Sequence, residues 1–441
     1  MEYWAIIMLG VAVVLLMIGF PVAFTLGATA LLFGGIGLGL DFFTLLPLRI
    51  WGVMTNFTLL AVPLFVYMGV ILEKSGLAEE LLVTMARLFG RVSGGMGVAI
   101  VCVGALLAAT TGVVGATVVT MAVIALPVML KHGYKAELAT GIIAASGTLG
   151  QIIPPSIILV LLGDVIGVPV GRLFMGAVVP GVVLIALFIL YIIVITRLKP
   201  QLAPPLESHS ELGDTSALLP QVIKSLIPPL LLIIAVLGSI FFGVASPTES
   251  AAVGAIGAML LAAAHRKLNL DNIKQAMRST TMMTSMVFII LIGATAFGLV
   301  FRGLGGDVLV RDIMTGLPGG EWGFLLVSML VIFVLGFFLD FIEISFIVVP
   351  ILAPIAQLMG IDLLWFAVLI AMNLQTSFLT PPFGFSLFYL KAAAPPEVSM
   401  RQVYRGIIPF VVIQLVALVI VMLFPEVPLW LPNLMDSLRH M

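Results

Sequence analysis

Along most of the chain, long apolar stretches alternate with short punctuation by Gly, Pro and charge, without the two-residue alternation of a barrel strand. Runs bounded in this way predict membrane-spanning helices near 4–20, 22–40, 50–73, 136–168, 174–197, 220–243, 249–265, 282–301, 362–393 and 403–424. Two further runs, 98–130 and 324–357, are too long for one helix and are interrupted by ATTGVVGAT at 109–117 and FLDFIEIS at 338–345. Halves of about 15 residues reach only about 23 Å, short of a hydrocarbon core of about 30 Å. Re-entrant hairpins therefore fit better than full crossings, with two short spans each as the alternative. Segments 76–91 and 303–317 carry apolar residues at helical spacing opposite charged ones. They read as arm helices lying in the interface, or as plain surface helices.

Self-similarity organises this pattern. One offset of 227 superposes Gly27 on Gly254, Gly76 on Gly303, Pro127 on Pro354 and Gly133 on Gly360, and places Pro154 and Pro155 on Pro381 and Pro382. The chain reads as two repeats, 1–200 and 220–441, joined by a polar linker at 201–219. Five spans per repeat is an odd count, which inverts the second repeat in the membrane. Charge supports that topology: fifteen of the twenty Lys and Arg fall on one face, and only Arg49, Arg172, Arg302, Arg311 and Arg439 on the other. The rule that basic loops stay in the cytoplasm puts both termini outside. The first residues lack the basic start of a signal peptide and read as the first span.

Composition excludes a soluble class. Charged residues make up 9% and hydrophobic residues 62%, where a soluble domain carries about 25% charged residues. The net charge of −1 identifies no partner, and the pattern calls for lipid rather than nucleic acid. The one cysteine, Cys102, forms no framework, and His132, His209, His265 and His440 show no metal-ligand spacing. Without a phosphate-cradling loop the chain does not hydrolyse ATP, and no convincing nucleophile–base constellation marks an enzyme. The fold expected is all-α and polytopic, with about ten spans, two re-entrant hairpins and broken helices.

Polar residues inside the apolar runs carry the chemistry. A proline strips a helical carbonyl of its donor, and unpaired backbone in lipid costs several kcal/mol unless protein, water or a ligand satisfies it. NLQTSFLTPPFGFSL at 373–387 and SGTLGQIIPPSIILV at 146–160 each place hydroxyls and an amide before a Pro-Pro pair. Such breaks in two related halves mark the midplane site of a secondary transporter, with hard oxygens for Na⁺ and helix N-termini for an anion. Kinked packing is the plain alternative. At the hairpin tips, Asp340 and Glu343 are carboxylates where burial is expensive, so each needs a cation, a proton or a rim position. Glu249 and Asp164 sit near the outer boundary, where headgroups solvate them.

The runs PVMLKHGY, GTLGQIIPPSIILV, PILAPIAQLMGID and NLQTSFLTPPFGFSLF resemble the large membrane subunit of TRAP transporters, the tripartite ATP-independent periplasmic systems, across nearly the whole chain. The resemblance implies Na⁺-driven uptake of an organic anion by an elevator movement in a bacterial or archaeal inner membrane. It also implies a periplasmic substrate-binding protein and a small four-helix membrane subunit as partners. By position it assigns Na⁺ to Thr110, Gly115, Thr117, Gly147 and Pro154 at the first tip and break, and to Asp340, Ser345, Ser377, Thr380 and Pro381 at the second. Thr111, Gly112, Gln151, Ser156, Glu343, Gln375 and Thr376 then face the anion. The first tip departs from the family's leading Ser-Gly, and Glu343 is a second acid where the family's tips carry one.

Overall fold

The computed structural model describes residues 2–89, 92–112, 114–205, 215–381 and 384–439, all of them helix or its connections. Arg91, His209, Pro382 and His440 lie outside the described residues, as does the linker over 206–214 and the side chains of Arg87, Thr111 and Arg439.

Two helices occupy the centre: Ala136–Thr148 and Leu363–Leu379. Both are buried on every side over almost their whole length, from Leu138 to Thr148 and from Leu364 to Leu379. An all-round apolar helix has no face for water and must be interior. Each stops at an interruption and resumes, as Ile157–Ile166 and Phe385–Ala393. At the offset of 227, the starts at Ala136 and Ile157 correspond to those at Leu363 and Phe385 within one residue. The hairpins pack beside them: Gly95–Thr111 with Val114–Lys131, and Glu321–Leu335 with Phe341–Ile347 and Val349–Leu358. The last two helices bend by 51° against each other. Gly133 and Gly360, which close the connections after the two hairpins, both take left-handed backbone, φ 80° and 79°. Only glycine adopts that conformation freely, which is why the punctuation matches there.

Outer helices carry one face for protein and one for lipid. In Val170–Leu198 the side chains of Leu184, Phe188 and Ile192 are buried, while Val182, Leu190 and Val194 are exposed. Six helices among the described residues are long and apolar enough to cross a membrane, and two bent pairs would add two more. One bent pair, Leu40–Met54 with Thr58–Lys74, turns by 52° where a straight span over 50–73 was expected. Asn56 causes the turn locally, its Oδ1 accepting from the Thr58 N–H at 2.9 Å. The first two helices, Glu2–Ile18 and Val22–Gly37, are 17 and 16 residues long. Among the described residues the arms are helical over Leu77–Phe89 and Gly306–Thr315. Glu249 is bound into a capping box with Ser246 at the start of Pro247–Ala264.

A close crossing fixes the central helix to Met400–Leu423. A methyl group on Gly141 would strike the backbone of Gly406, and one on Gly406 would strike the backbone of Glu137. Absent side chains let the two backbones touch, the means by which membrane helices pack.

Candidate functional site

At the first break, Thr148 ends the helix, Leu149–Gln151 forms one tight turn, and residues 152–156 are irregular. Pro154 lies buried in this irregular segment. The Thr148 hydroxyl donates to Ala145 O at 2.8 Å and accepts from Gln414 Nε2 at 3.4 Å. Ser156 Oγ donates across the break to Gln151 O at 3.0 Å. Gln151 is fully buried, and neither atom of its amide has a partner among the described residues.

The second break repeats the arrangement. Thr376, Ser377 and Thr380 donate to the carbonyls of Met372, Leu374 and Thr376 at 2.8, 2.8 and 2.7 Å. These bonds use each hydroxyl's proton and leave the oxygen lone pairs for an electron acceptor. Thr380 turns extended, Pro381 follows, and Ser386 reaches back to Phe378 O at 2.9 Å. Gln375 is fully buried with both amide atoms unpartnered, as in the first break. A buried unsatisfied polar group costs about 1–3 kcal/mol, so two at matching breaks call for partners that the surrounding protein groups do not supply.

Each tip closes on its neighbouring break. In the first, Gly112 reverses the chain in left-handed backbone, and a methyl there would lie 3.3 Å from Ile157, where the first broken helix resumes. Gly147 packs on Val118, and Thr117 and Thr110 are buried beside them, Thr110 donating to Leu107 O at 2.8 Å. In the second, Gly336 lies against Ser377, so close that a methyl would overlap the hydroxyl. Ser345 is buried with its hydroxyl unpartnered. A methyl on Gly115 would instead lie 3.1 Å from the ring of Tyr389, in the other half of the chain.

The two acids have a structural duty. Asp340 caps Phe341–Ile347, its Oδ1 accepting from the Phe341 N–H at 2.6 Å, while Glu343 Oε2 accepts from the Asp340 N–H at 3.1 Å. The D-x-x-E spacing carried that signal in the sequence. The Asp340 side chain also accepts from the Glu343 N–H, which completes the capping box.

A cavity of about 410 Å³ lies between the first hairpin and the second tip and break, with Asp340, Gly115, Phe341, Phe378, Phe385 and Tyr389 in its wall. Of the residues expected to face an anion, Gly112, Gln151, Ser156, Glu343, Gln375 and Thr376 do not line it. The aromatic wall was missed although Phe378, Phe385 and Tyr389 share one stretch, because aromatic residues in an apolar run read as lipid-facing or core; Phe341 joins them only in the fold. Among the described residues no three His, Cys, Asp or Glu side chains gather. Hydroxyl, amide and carbonyl oxygens with one carboxylate form a hard set, suited to an alkali cation rather than a transition metal.

Residues 9–427 match the family described as "Tripartite ATP-independent periplasmic transporter, DctM component". The chain belongs to the DctM family. This permease is 32% identical over 389 residues to the C4-dicarboxylate TRAP transporter large permease protein DctM of Pseudomonas aeruginosa, covering 88% of the chain and 89% of that protein. It is 29% identical to the sialic acid TRAP transporter large permease protein SiaM of Vibrio cholerae, over 95% of the chain and 96% of that protein. Among solved structures, the YdaH transporter of Alcanivorax borkumensis shares its fold, with a TM-score of 0.62 and 15% identity over 88% of this chain and 89% of that one. The family expectation drawn from the proline-containing motifs holds: the chain is a multi-pass membrane transport permease and not an enzyme.

Proposed function

We propose that this DctM-family permease is the membrane subunit of a Na⁺-driven symporter for a small carboxylate, working with a periplasmic binding protein and a small four-helix membrane subunit. The observation that carries the reading is the pair of helix breaks, each holding a buried glutamine amide without a partner and each faced by a hairpin tip. A cation accepts lone pairs from Gln151 and Thr148 at one break, and from Gln375, Ser377 and Thr380 at the other. Asp340 supplies the one carboxylate in the cavity wall. The relatives' names, for a C4-dicarboxylate and for sialic acid, support a carboxylate substrate.

The two halves are inverted repeats, with both termini on the periplasmic side of the inner membrane. Matching helix starts at the offset of 227 and the fifteen-to-five division of basic residues support this. Hairpins and broken helices move together against the outer helices, as an elevator. An impermeant thiol reagent should label a cysteine placed at Ser437 in intact cells but not one placed at Gln201, which is equally open to solvent; the opposite labelling would invert the topology.

Proteoliposomes containing the permease with its two partners provide the direct test. Uptake should rise with an inward Na⁺ gradient and vanish without the binding protein; uptake indifferent to sodium would sink the coupling. Gln375→Leu gives a sharper signature. It removes two unsatisfied atoms, so the sodium-free protein should gain about 1–3 kcal/mol of stability. The same change removes a cation ligand, and half-saturating sodium should rise roughly 5- to 150-fold. A kink residue would show neither change in this combination.

A further inference from the structure

A second cleft lies away from the breaks. It measures about 1100 Å³ and runs between Leu46–Met54 and the end of Leu270–Gly303 on one side and Val349–Leu358 on the other. Three arginines stand around it: Arg49, Arg302 and Arg311. Much of the remaining wall is apolar, including Leu48, Val53, Phe297, Ile351 and Leu358. Leu48 and Leu358 are 74% and 69% exposed, so the apolar wall opens outward. Two carboxylates share the wall, Asp164 and Asp307. Asp164 is already engaged, accepting from Asn56 Nδ2 at 2.6 Å. Arg311 Nε contacts the adjacent Asp312 at 3.3 Å, and Arg49 and Arg302 form no ion pair among the described residues.

Asp312 holds Arg311, so the guanidinium groups that stand in the wall without an ion-pair partner among the described residues are Arg49 and Arg302. The cleft is also larger than the roughly 300–1,000 Å³ of ordinary small-molecule pockets, so a small acid alone would not fill it. Two such groups beside an outward-opening apolar wall suit an occupant with an anionic head and a long apolar tail. We propose that the cleft holds one anionic phospholipid, its phosphodiester against Arg49 and Arg302 and an acyl chain along Leu48, Val53, Ile351 and Leu358. Because Val349–Leu358 belongs to the second hairpin, the lipid sits at the joint where the hairpin meets its flanking helices. Binding does not depend on the transport reading, but its effect on uptake does.

Photoactivatable phosphatidylglycerol tests this on the purified full-length permease in nanodiscs. It should label peptides on both flanks, around Leu48 and around Leu358, and unlabelled phosphatidylglycerol should compete better than phosphatidylcholine. Arg49→Gln with Arg302→Gln should weaken competition by about fivefold per arginine, the worth of one basic residue at an anionic lipid surface. Gly52→Trp fills the cleft from a position whose methyl would meet nothing within 4 Å. It should abolish labelling at Leu358 while the protein remains folded. Equal competition by the two lipids, labelling unchanged in either variant, displacement by free glycerol phosphate, or displacement by the small membrane subunit would each overturn the proposal.

Discussion

Gly336→Ala should reduce sodium-driven uptake by about 100-fold or more while leaving the permease folded. Gly336 takes ordinary helical backbone, φ −65°, so an alanine there is not strained by its own conformation. The obstacle is Ser377. A methyl on Gly336 would overlap its hydroxyl and lie 2.6 Å from its Cβ. Rotating the hydroxyl does not relieve the second clash, because the Cβ is fixed to the central helix. The tip must move away from the break by about an ångström, and displacements of that size cost about 100-fold where reacting or binding groups must meet. Ser377→Gly in the same chain removes the obstructing atoms and, although it also deletes a proposed cation ligand, should restore part of the lost rate at saturating sodium. Uptake by Gly336→Ala within twofold of the parent would mean that the second tip need not close on the break.

Gly406→Ala should have the largest effect on stability. Its added methyl meets the backbone carbonyl of Glu137, and the opposing Gly141 leaves no room for a compensating shift. Backbone atoms cannot turn aside as a side chain can, so Met400–Leu423 must separate from Ala136–Thr148 along the crossing. Overpacking a tight core costs about 1–3 kcal/mol, and this contact belongs at or above the upper end. The variant should unfold at a clearly lower temperature and give less monodisperse protein in detergent. Gly10→Ala is the matched control, since its methyl would meet nothing within 4 Å; similar melting of the two variants would refute the role of the crossing.

The apolar runs and their punctuation made most of the helices legible, because in lipid every backbone group must be satisfied within its own segment. The breaks were legible too, but not from proline alone. Pro228 and Pro229 lie inside the continuous helix Thr215–Phe241, whereas Pro154 and Pro381 stand where a helix stops. Polar neighbours distinguish them: Gln151 and Ser156, or Gln375 through Thr380, supply groups that an interrupted backbone needs, and Pro228 is flanked by Leu226, Ile227 and Leu230. The bend at Asn56 escaped because Thr55, Asn56 and Thr58, short polar residues with no adjacent proline in an apolar run, look like tolerated substitutions. The cavity wall was illegible for another reason. Gly115 meets Tyr389 only after both halves have folded, and no local spacing encodes a contact between residues so distant.

That dependence between halves also bears on how the chain is made. Thr148 accepts its hydrogen bond from Gln414, 266 residues later. At roughly 5–20 residues per second, about 13–53 s of synthesis separates the two. Throughout that interval the first break stands in the nascent chain without the helix that will cover it. Insertion into the bilayer must therefore hold the first half open, shielded by lipid or by the insertion machinery, until the last long helix arrives to close the bundle.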